Sequence, residues 1–254
     1  MSLIKIMLEN EKQVEEKAYE FVRKNKKSLI DFFVNKEKYY SIQKSVFFMA
    51  GSPGAGKTEF VKSLRIKIKN DNVVKPLHVD ADLIRTDFLK DFYKPTNIDG
   101  SILGNAHLLQ KASIKGVEIL LDYCFKSKIL FILDGTMGGT FDTINKNIKR
   151  CLSKNIKPVI FYLYQDPLVA WDYTKQRERV EGRNISKDDF VRQFFNSKKN
   201  MRMLKQEYKG EIIINLIIKN FKNSIEKYEF NIDNIDFYIK DDYNSIKDLK
   251  DKLI

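Results

Sequence analysis

The segment Gly51–Thr58 constrains the fold of this chain more than any other part of the sequence. It reads GSPGAGKT, follows the apolar run VFFMA directly and opens a helix-forming stretch. Glycines at these positions let consecutive backbone N–H groups converge on phosphate oxygens, and the helix that follows points its positive end at them. The segment therefore predicts a phosphate-binding loop between a strand and a helix. A glycine-rich turn that contains Gly-Lys by chance is the weaker alternative.

The chemistry expected of this loop is the binding of ATP and Mg²⁺. We expect Lys57 to reach the β- and γ-phosphates and the Thr58 hydroxyl to bind Mg²⁺, which bridges the same phosphates. The residues predicted to bind the nucleotide are Gly51, Ser52, Pro53, Gly54, Ala55, Gly56, Lys57 and Thr58. Kinases, switch GTPases and motor ATPases share such a loop, so the function depends on the other polar clusters.

Short apolar runs alternate with longer amphipathic stretches through the middle of the chain. Runs rich in β-branched, aromatic and leucine residues are typical of strands covered on both faces. The predicted strands are Ser45–Met49, Leu77–Val79, Ile129–Leu133 and Pro158–Tyr164, and the predicted helices are 57–69, 105–126, 140–154, 166–181 and 186–208. This alternation predicts an α/β class fold, the three-layer P-loop NTPase of kinase-like type with a mostly parallel sheet.

Two extensions are expected to flank this core in a single domain, which is what a length of 254 residues favours. Residues 1–44 carry apolar positions at helical spacing and predict a helical N-terminal extension. The core is assigned to residues 45–220, with residues 221–254 as a C-terminal extension of strands and a helix. The runs Ile212–Ile218 and Tyr228–Ile239 are expected to add strands to the sheet.

Composition narrows the class of protein. Lys and Arg number 46 against 34 Asp and Glu, a net charge of +12, which attracts nucleic acid, nucleotides or acidic proteins, although a solvated basic surface explains scattered lysines as well. Cys124 and Cys151 are too few and too isolated for a disulfide framework, so a reducing, cytoplasmic setting is expected. No stretch approaches the roughly 20 apolar residues that cross a bilayer, so no membrane association is expected.

Two predicted strands end in carboxylates. HVDAD, residues His78–Asp82, and ILFILDGT, residues Ile129–Thr136, each run from apolar residues into Asp. Ligands of open α/β sheets bind at this edge, so Asp82 is the candidate to orient or deprotonate an attacking hydroxyl, unless it only caps the helix that follows. Asp134 is expected near the metal and γ-phosphate, unless Asp-Gly here only marks a turn.

A third cluster holds arginines in the segment KQRERVEGRN: Arg177, Arg179 and Arg183. Gly182 permits a break between two helices, so a lid there can bring guanidinium groups onto phosphates and stabilise transition-state charge. The alternative is a solvated helical face, on which the first two arginines pair with neighbouring glutamates. Composition alone does not decide between the two.

Taken together, these segments resemble the zeta-toxin family of P-loop kinases from about Ser45 to Asn220. The resemblance rests on FFMAGSPGAGKTEF, HVDADLIR, ILFILDGT, YQDPLVAW and TKQRERVEGRNISKDDF. It implies transfer of the ATP γ-phosphoryl group to the 3′-hydroxyl of an amino-sugar nucleotide, UDP-N-acetylglucosamine in the best-known members. It also implies an antitoxin protein that occupies the ATP site, with the N-terminal helices bordering that interface.

The resemblance assigns roles to individual residues. It implies catalytic roles for Lys57, Asp82, Arg177 and Arg183, with Arg179 as the alternative to Arg177; substrate contacts from Asp80, Asp82, Glu118, Asp134 and Thr136; and metal ligands Thr58 and Asp134. One departure matters: where the family pattern often reads EGTxR, this chain reads DGTMG, with Gly138 in the place of the arginine. A contact to substrate or γ-phosphate is therefore missing or supplied by another element.

Two other functions remain open at this point. A polynucleotide or RNA 5′-hydroxyl kinase would fit the positive charge and predicts a continuous basic groove leading to Asp82. A nucleotide-dependent binding module would hold ATP with negligible turnover. His78 and His107 are expected to be packed or exposed rather than catalytic.

Overall fold

The computed structural model describes residues 3–34, 45–70, 76–92, 95–98, 101–181, 184–220, 222, 224–239, 243 and 245–253. The helices are α1 (Leu3–Lys24), α2 (Lys26–Val34), α3 (Lys57–Asn70), α4 (Ala81–Leu83), α5 (Gln110–Ser127), α6 (Phe141–Leu152), α7 (Pro167–Glu181), α8 (Lys187–Tyr208) and α9 (Ile246–Lys252). The strands are β1 (Ser45–Ala50), β2 (Leu77–Asp80), β3 (Pro95–Ile98), β4 (Ser101–Gly104), β5 (Phe131–Asp134), β6 (Lys157–Tyr164), β7 (Ile213–Lys219) and β8 (Ile225–Glu229). A π-helical turn, Ile84–Phe88, follows α4.

Six strands form the main sheet, in the order β2-β5-β1-β6-β7-β8. The first five are parallel, and β8 pairs with β7 in the antiparallel sense at the edge. This confirms the predicted α/β fold with a mostly parallel sheet. The register places Asp80 of β2 directly opposite Asp134 of β5. Because parallel strands end at the same edge, the loops after β1, β2 and β5 meet there.

Apolar side chains cover both faces of the sheet. Phe48 belongs to the main core cluster and its neighbour Met49 to a second cluster on the opposite face. Successive strand residues point to opposite faces, so a strand buried on both sides reads as an unbroken apolar run. This is why the four core strands could be predicted closely from sequence. Among the helices that the structure describes, none is both long enough and apolar enough to span a membrane.

The N-terminal helices pack against α5 and against the segment that follows β2. The Phe21 ring of α1 lies 5.6 Å from the Phe88 ring and 5.4 Å from the Phe92 ring, measured between centroids. The predicted helical extension is therefore present. It packs against the π-helical turn that follows α4, the short helix that contains Asp82. Its predicted end at residue 44 falls outside the described residues.

The C-terminal segment differs from its prediction. The run Tyr228–Ile239 was expected to form a strand, but β8 ends at Glu229 and a 3₁₀ turn occupies Ile235–Phe237. Asn231 has a φ of 48°, a left-handed conformation that ends the extended backbone. Asn234 then caps the turn by accepting a hydrogen bond from the Asp236 N–H at 3.0 Å.

A second difference lies after β2. The antiparallel pair β3–β4 lies there, where no strand was predicted from the sequence. Neither strand has the length or the alternation of polar and apolar residues that signals a strand in sequence.

Replacing Phe131 by Ala tests the core beneath the sheet edge. The side chain is fully buried, and its ring packs edge-on against Phe48 and Phe125, so we expect the free energy of unfolding to fall by about 3–5 kcal/mol. Urea unfolding measures the change. Ile66→Ala is the matched control, because Ile66 is 61% exposed and its truncation should change stability by less than about 0.5 kcal/mol. Equal effects from the two variants would contradict this view of the core.

Candidate active site

The loop between β1 and α3 lies unusually close to the backbone of its neighbours. A Cβ atom on Gly51 would stand 2.2 Å from the Leu163 carbonyl oxygen, and one on Gly54 would stand 2.0 Å from that of Ala170. Both glycines also have positive φ angles, 130° and 75°. Only glycine fits these positions, so the sequence pattern reflects both backbone conformation and close packing.

Lys57 begins α3 and folds back over this loop. Its ammonium group donates to the carbonyl oxygen of Ser52 at 2.6 Å and to that of Gly51 at 3.2 Å. The pKa of Lys57 is lowered to about 8, and burial is the largest cause. The nearby Arg177 also lowers it, while Asp134 and Asp82 act in the opposite direction. A phosphate group above the loop would favour the charged form of Lys57, because an opposite charge nearby offsets the effect of burial.

Thr58 and Asp134 join the loop to the end of β5. The Thr58 hydroxyl donates to Asp134 Oδ2 at 3.2 Å, and His78 Nε2 lies 3.2 Å from the same carboxylate oxygen. The histidine is buried and packed, as expected. Asp134 therefore contacts side chains from two other elements, which a residue that only marks a turn would not need to do.

Asp80 and Asp82 form the end of β2 and the short helix α4. Asp80 caps α4 by accepting a hydrogen bond from the Asp82 N–H at 2.8 Å. The capping role that the sequence allowed for Asp82 thus belongs to Asp80. The Asp82 side chain is 37% exposed, lines the cavity described below and forms an ion pair with Arg85.

The two acids differ in their surroundings. The pKa of Asp80 is raised to about 6. Burial is the largest cause, and the charges of Asp82 and Asp134 act in the same direction. The capping hydrogen bond opposes them. Three carboxyl groups thus share one edge of the sheet, and the buried carboxyl group of Asp80 resists ionisation.

A cavity of about 650 Å³ lies at this edge, within the range of roughly 300–1,000 Å³ typical of small-molecule sites. The predicted residues that line it are Pro53, Gly54, Gly56, Lys57, Thr58, Asp80, Asp82, Asp134, Thr136 and Arg177. The structure thus brings together most of the groups that the sequence singled out, from four separate segments.

Not every predicted residue reaches the cavity. Glu118 was expected to bind substrate, but its carboxylate pairs with Lys115 at 2.8 Å on the exposed surface of α5 and does not line the cavity. Gln110 of the same helix does line it, and Glu118 lies about 12 Å further along and about 80° around the axis. Helical geometry therefore places Glu118 away from the cavity.

The predicted arginines also differ in whether they line the cavity. Arg177 is half-buried and lines the cavity, whereas Arg179 is exposed and does not line it. This favours Arg177 over Arg179 as the phosphate-facing residue of α7. Arg183 and the expected break at Gly182 lie outside the described residues.

The loop after β5 is held against α8. Asn196 donates to the carbonyl oxygen of Gly138 at 3.2 Å, and Asn200 donates to those of Met137 and Gly139 at 2.8 and 3.0 Å. A Cβ atom on Gly138 would stand 2.8 Å from the Gln193 carbonyl oxygen. The position where the family pattern has arginine therefore has no room for a side chain.

Several polar residues of the cavity were not predicted. They are Arg85, His107, Gln110, Asp189, Arg192 and Gln193. Arg85 stands in the motif HVDADLIR, and its spacing of three residues from Asp82 was the available signal, because helical residues three apart share a face. The others come from α8, from the start of α5 and from the 3₁₀ turn Ala106–Leu109 before it, where the sequence offers no pattern that points to the site.

Mg²⁺ fits the chemistry of the residues present. It prefers hard oxygen ligands, and Thr58 Oγ1 and the Asp134 carboxylate place two such atoms together beside the phosphate-binding loop. His78, Asp80 and Asp134 also offer ligand atoms that all lie within 4.8 Å of one another.

Known proteins share this architecture. The family model for zeta toxin matches residues 33–233 of the chain. A solved structure from the PezAT chromosomal toxin–antitoxin system of Streptococcus pneumoniae has a TM-score of 0.55 and 19% identity, covering 84% of this chain and 80% of that chain. The AvrRxo1-ORF1:-ORF2 complex with ATP has a TM-score of 0.57 and 13% identity, covering 89% of this chain and 70% of that chain. Identities this low show a shared fold. No curated protein sequence matches this chain.

Adding one methyl group at Gly138 tests the contact with α8. We expect Gly138→Ala to lower the free energy of unfolding by about 1–3 kcal/mol, because its Cβ atom would meet the Gln193 backbone rather than a flexible side chain. Chemical denaturation gives the value. Gly139→Ala is the matched control one residue away, since a Cβ atom there meets nothing within 4 Å. Equal stability of the two variants would show that α8 does not rest on this loop.

The charge of Asp80 should oppose folding at neutral pH. Its pKa is raised above the unfolded value, so the folded state loses stability as the pH rises from about 4 through about 6. Asn at this position keeps the cap and removes the charge, so Asp80→Asn should stabilise the metal-free protein by about 2–3 kcal/mol at pH 7.

The gain should vanish near pH 4, where the wild-type carboxyl group is also neutral. Urea unfolding at both pH values, in buffer with a chelator, measures the difference. A variant no more stable than wild type at pH 7 would contradict the assigned environment of Asp80.

Proposed function

The chain belongs to the zeta-toxin family of kinase-like phosphotransferases, and on that premise we propose that it transfers the γ-phosphoryl group of ATP to the 3′-hydroxyl of UDP-N-acetylglucosamine. The observation that supports this most is the shared cavity, in which Lys57, Thr58, Asp82 and Arg177 face one space from different elements. Phosphoryl transfer depends mainly on positioning and on offsetting charge, and these are the groups it requires.

Each residue has a distinct part in this proposal. The loop Gly51–Thr58 holds the β- and γ-phosphates through its backbone N–H groups, and Lys57 exchanges the loop carbonyls for phosphate oxygens. Asp82 accepts the proton of the acceptor hydroxyl. The acceptor oxygen forms a bond to the γ-phosphorus, the bond to the bridging oxygen breaks, and ADP leaves. Arg177 offsets the charge that develops on the transferred group.

Mg²⁺ would be held by Thr58 and the Asp134 carboxylate. When bound, it would offset negative charge on the phosphates. His78 fixes the direction of the Asp134 carboxylate through the contact at 3.2 Å. A ligand held in this way from a neighbouring strand keeps its orientation when the cation enters.

A protein antitoxin is the partner we propose. One similar structure comes from a toxin–antitoxin system, and another is a complex of the two components AvrRxo1-ORF1 and -ORF2. Such a partner would inhibit the enzyme by covering the mouth of the cavity, bordered by the N-terminal helices. Because the chain carries a net charge of +12, an acidic contact surface on the partner would speed association.

We place this activity in the cytoplasm. Cys124 and Cys151 are free and buried, as is usual where thiols remain reduced. Burial raises the pKa of each thiol to about 12, so neither is poised to react.

The acceptor can be identified directly. Purified protein is incubated with ATP, Mg²⁺ and a panel of sugar nucleotides, mononucleotides and 5′-hydroxyl oligonucleotides, and the products are read by mass spectrometry. We expect UDP-N-acetylglucosamine to gain one phosphate, and Asp82→Asn to lower the rate by about 100-fold or more, because the proton acceptor is lost.

Asp87→Asn is the matched control for that variant. Asp87 lies in the π-helical turn directly after α4 but is exposed and does not line the cavity, so its substitution should leave the rate unchanged. Phosphorylation of oligonucleotides alone would replace the proposed acceptor with nucleic acid. ATP binding without any phosphorylated product would favour the nucleotide-dependent binding module.

A further inference from the structure

Arg85 has no part in the proposed reaction so far, yet it is tied directly to the proposed base. It lies in the π-helical turn after α4, three residues beyond Asp82, and is only 6% exposed. One terminal nitrogen donates to Asp82 Oδ1, and the other donates to Gln110 Oε1 at 2.6 Å. Its Nε is buried and, within the described residues, has no hydrogen-bond partner.

This ion pair differs from an ordinary pair on a helix surface. Exposed pairs contribute little, since both side chains lose freedom in order to meet. Here the Arg85 side chain is 7% exposed, and the flanking Ile84 and Leu89 are fully buried. A guanidinium group is planar, so bonds from its two ends to different elements fix its plane. The group is thus held in place whether or not a substrate is present.

The position of Asp82 calls for such a restraint. Asp82 stands on a helix of only three residues and shares the sheet edge with the carboxylates of Asp80 and Asp134. Like charges repel, so a carboxylate without a partner here would turn towards solvent, away from the γ-phosphate. Arg85 opposes that movement by holding Oδ1, and Gln110, at the start of α5, braces Arg85 from the far side.

We propose that Arg85 is the positioning residue for the base, and that it fixes the Asp82 carboxylate in the direction from which Asp82 receives the acceptor proton. The proposal rests on the proposed function of Asp82. Arg85 acts through Asp82 rather than on the reacting atoms, and Gln110 acts through Arg85. Without this restraint the Asp82 carboxylate would be misplaced. A misplacement of about 1 Å can lower the rate by about 100-fold, because the reacting groups are no longer aligned.

Kinetics of single and double variants test the proposal, with whichever acceptor the wild-type protein phosphorylates. Arg85→Gln and Arg85→Lys should lower kcat by about 100-fold, while KM for ATP and for the acceptor changes by less than about threefold. Lysine keeps the charge but cannot hold two partners in one plane, so it should not rescue the rate. In an Asp82→Asn background, Arg85→Gln should cause no further loss.

Arg150→Gln is the control for loss of a paired arginine. Arg150 pairs with Asp122 at 2.8 Å on the surface of α6, and its removal should leave kcat unchanged. Thermal melting of every variant separates poor folding from poor positioning. Full activity of Arg85→Lys, an additive loss in the double variant, or a raised acceptor KM with normal kcat would each overturn the proposal; the last would mean that Arg85 binds the acceptor itself.

A structural measurement keeps the inference separate from the proposed function. If the wild-type protein phosphorylates no acceptor, the proposed function fails, but a crystal structure of Arg85→Lys still tests the restraint. The Asp82 carboxylate should leave its wild-type orientation or occupy more than one, with the backbone of residues 80–86 unmoved. A single unchanged orientation of Asp82 would overturn the inference regardless of any activity.

Discussion

Like-charge repulsion at one buried edge of the sheet governs the arrangement of this site. The pairing of β2 with β5 sets Asp80 opposite Asp134, and the short helix after β2 brings Asp82 to the same place. Carboxylates this close stay ionised together only if cations or donors face them. Lys57, Arg85, His78 and the Thr58 hydroxyl fill that role from three elements. Thr58 and Asp134 place oxygen atoms that suit a divalent cation beside the phosphate loop, so cation binding and nucleotide binding should favour each other.

Much of this architecture could be predicted from sequence because local pattern and tertiary role coincide there. The core strands are apolar on both faces, since helices cover both sides of the sheet, and the phosphate loop needs glycine for close backbone contacts at Gly51 and Gly54. Acids that follow such strands must then meet at one edge, as Asp80 and Asp134 do. The strand assignments and the rule for parallel sheets therefore predicted that Lys57, Thr58 and Asp134 lie together, whereas the choice of Asp82 and Arg177 rested on the family resemblance.

The remainder depends on contacts that leave no local pattern. Gln110 and Glu118 stand on one helix, and only its rotational setting against the sheet decides which of them faces the cavity. Arg85 could be seen in the sequence, but its bond to Gln110 joins residues 25 positions apart. The end of β8 depends on the left-handed backbone of Asn231, which overrides the aromatic and isoleucine residues that suggested a longer strand. In the first two cases packing between distant segments decides the outcome, and in the third a backbone conformation that residue type alone does not reveal.

Gly138 shows how one such contact changes the interpretation of a motif. The motif by itself suggests a lost arginine, whereas the structure shows that α8 has taken its space: the Gln193 backbone rests where a side chain would begin, and two asparagines bind the loop carbonyls. The same helix presents Arg192 and Gln193 to the cavity. Because these contacts fix α8 to the loop, its polar residues keep a set distance from the phosphate loop. The polar residues of α8 therefore border the same cavity as the motifs of the sheet edge.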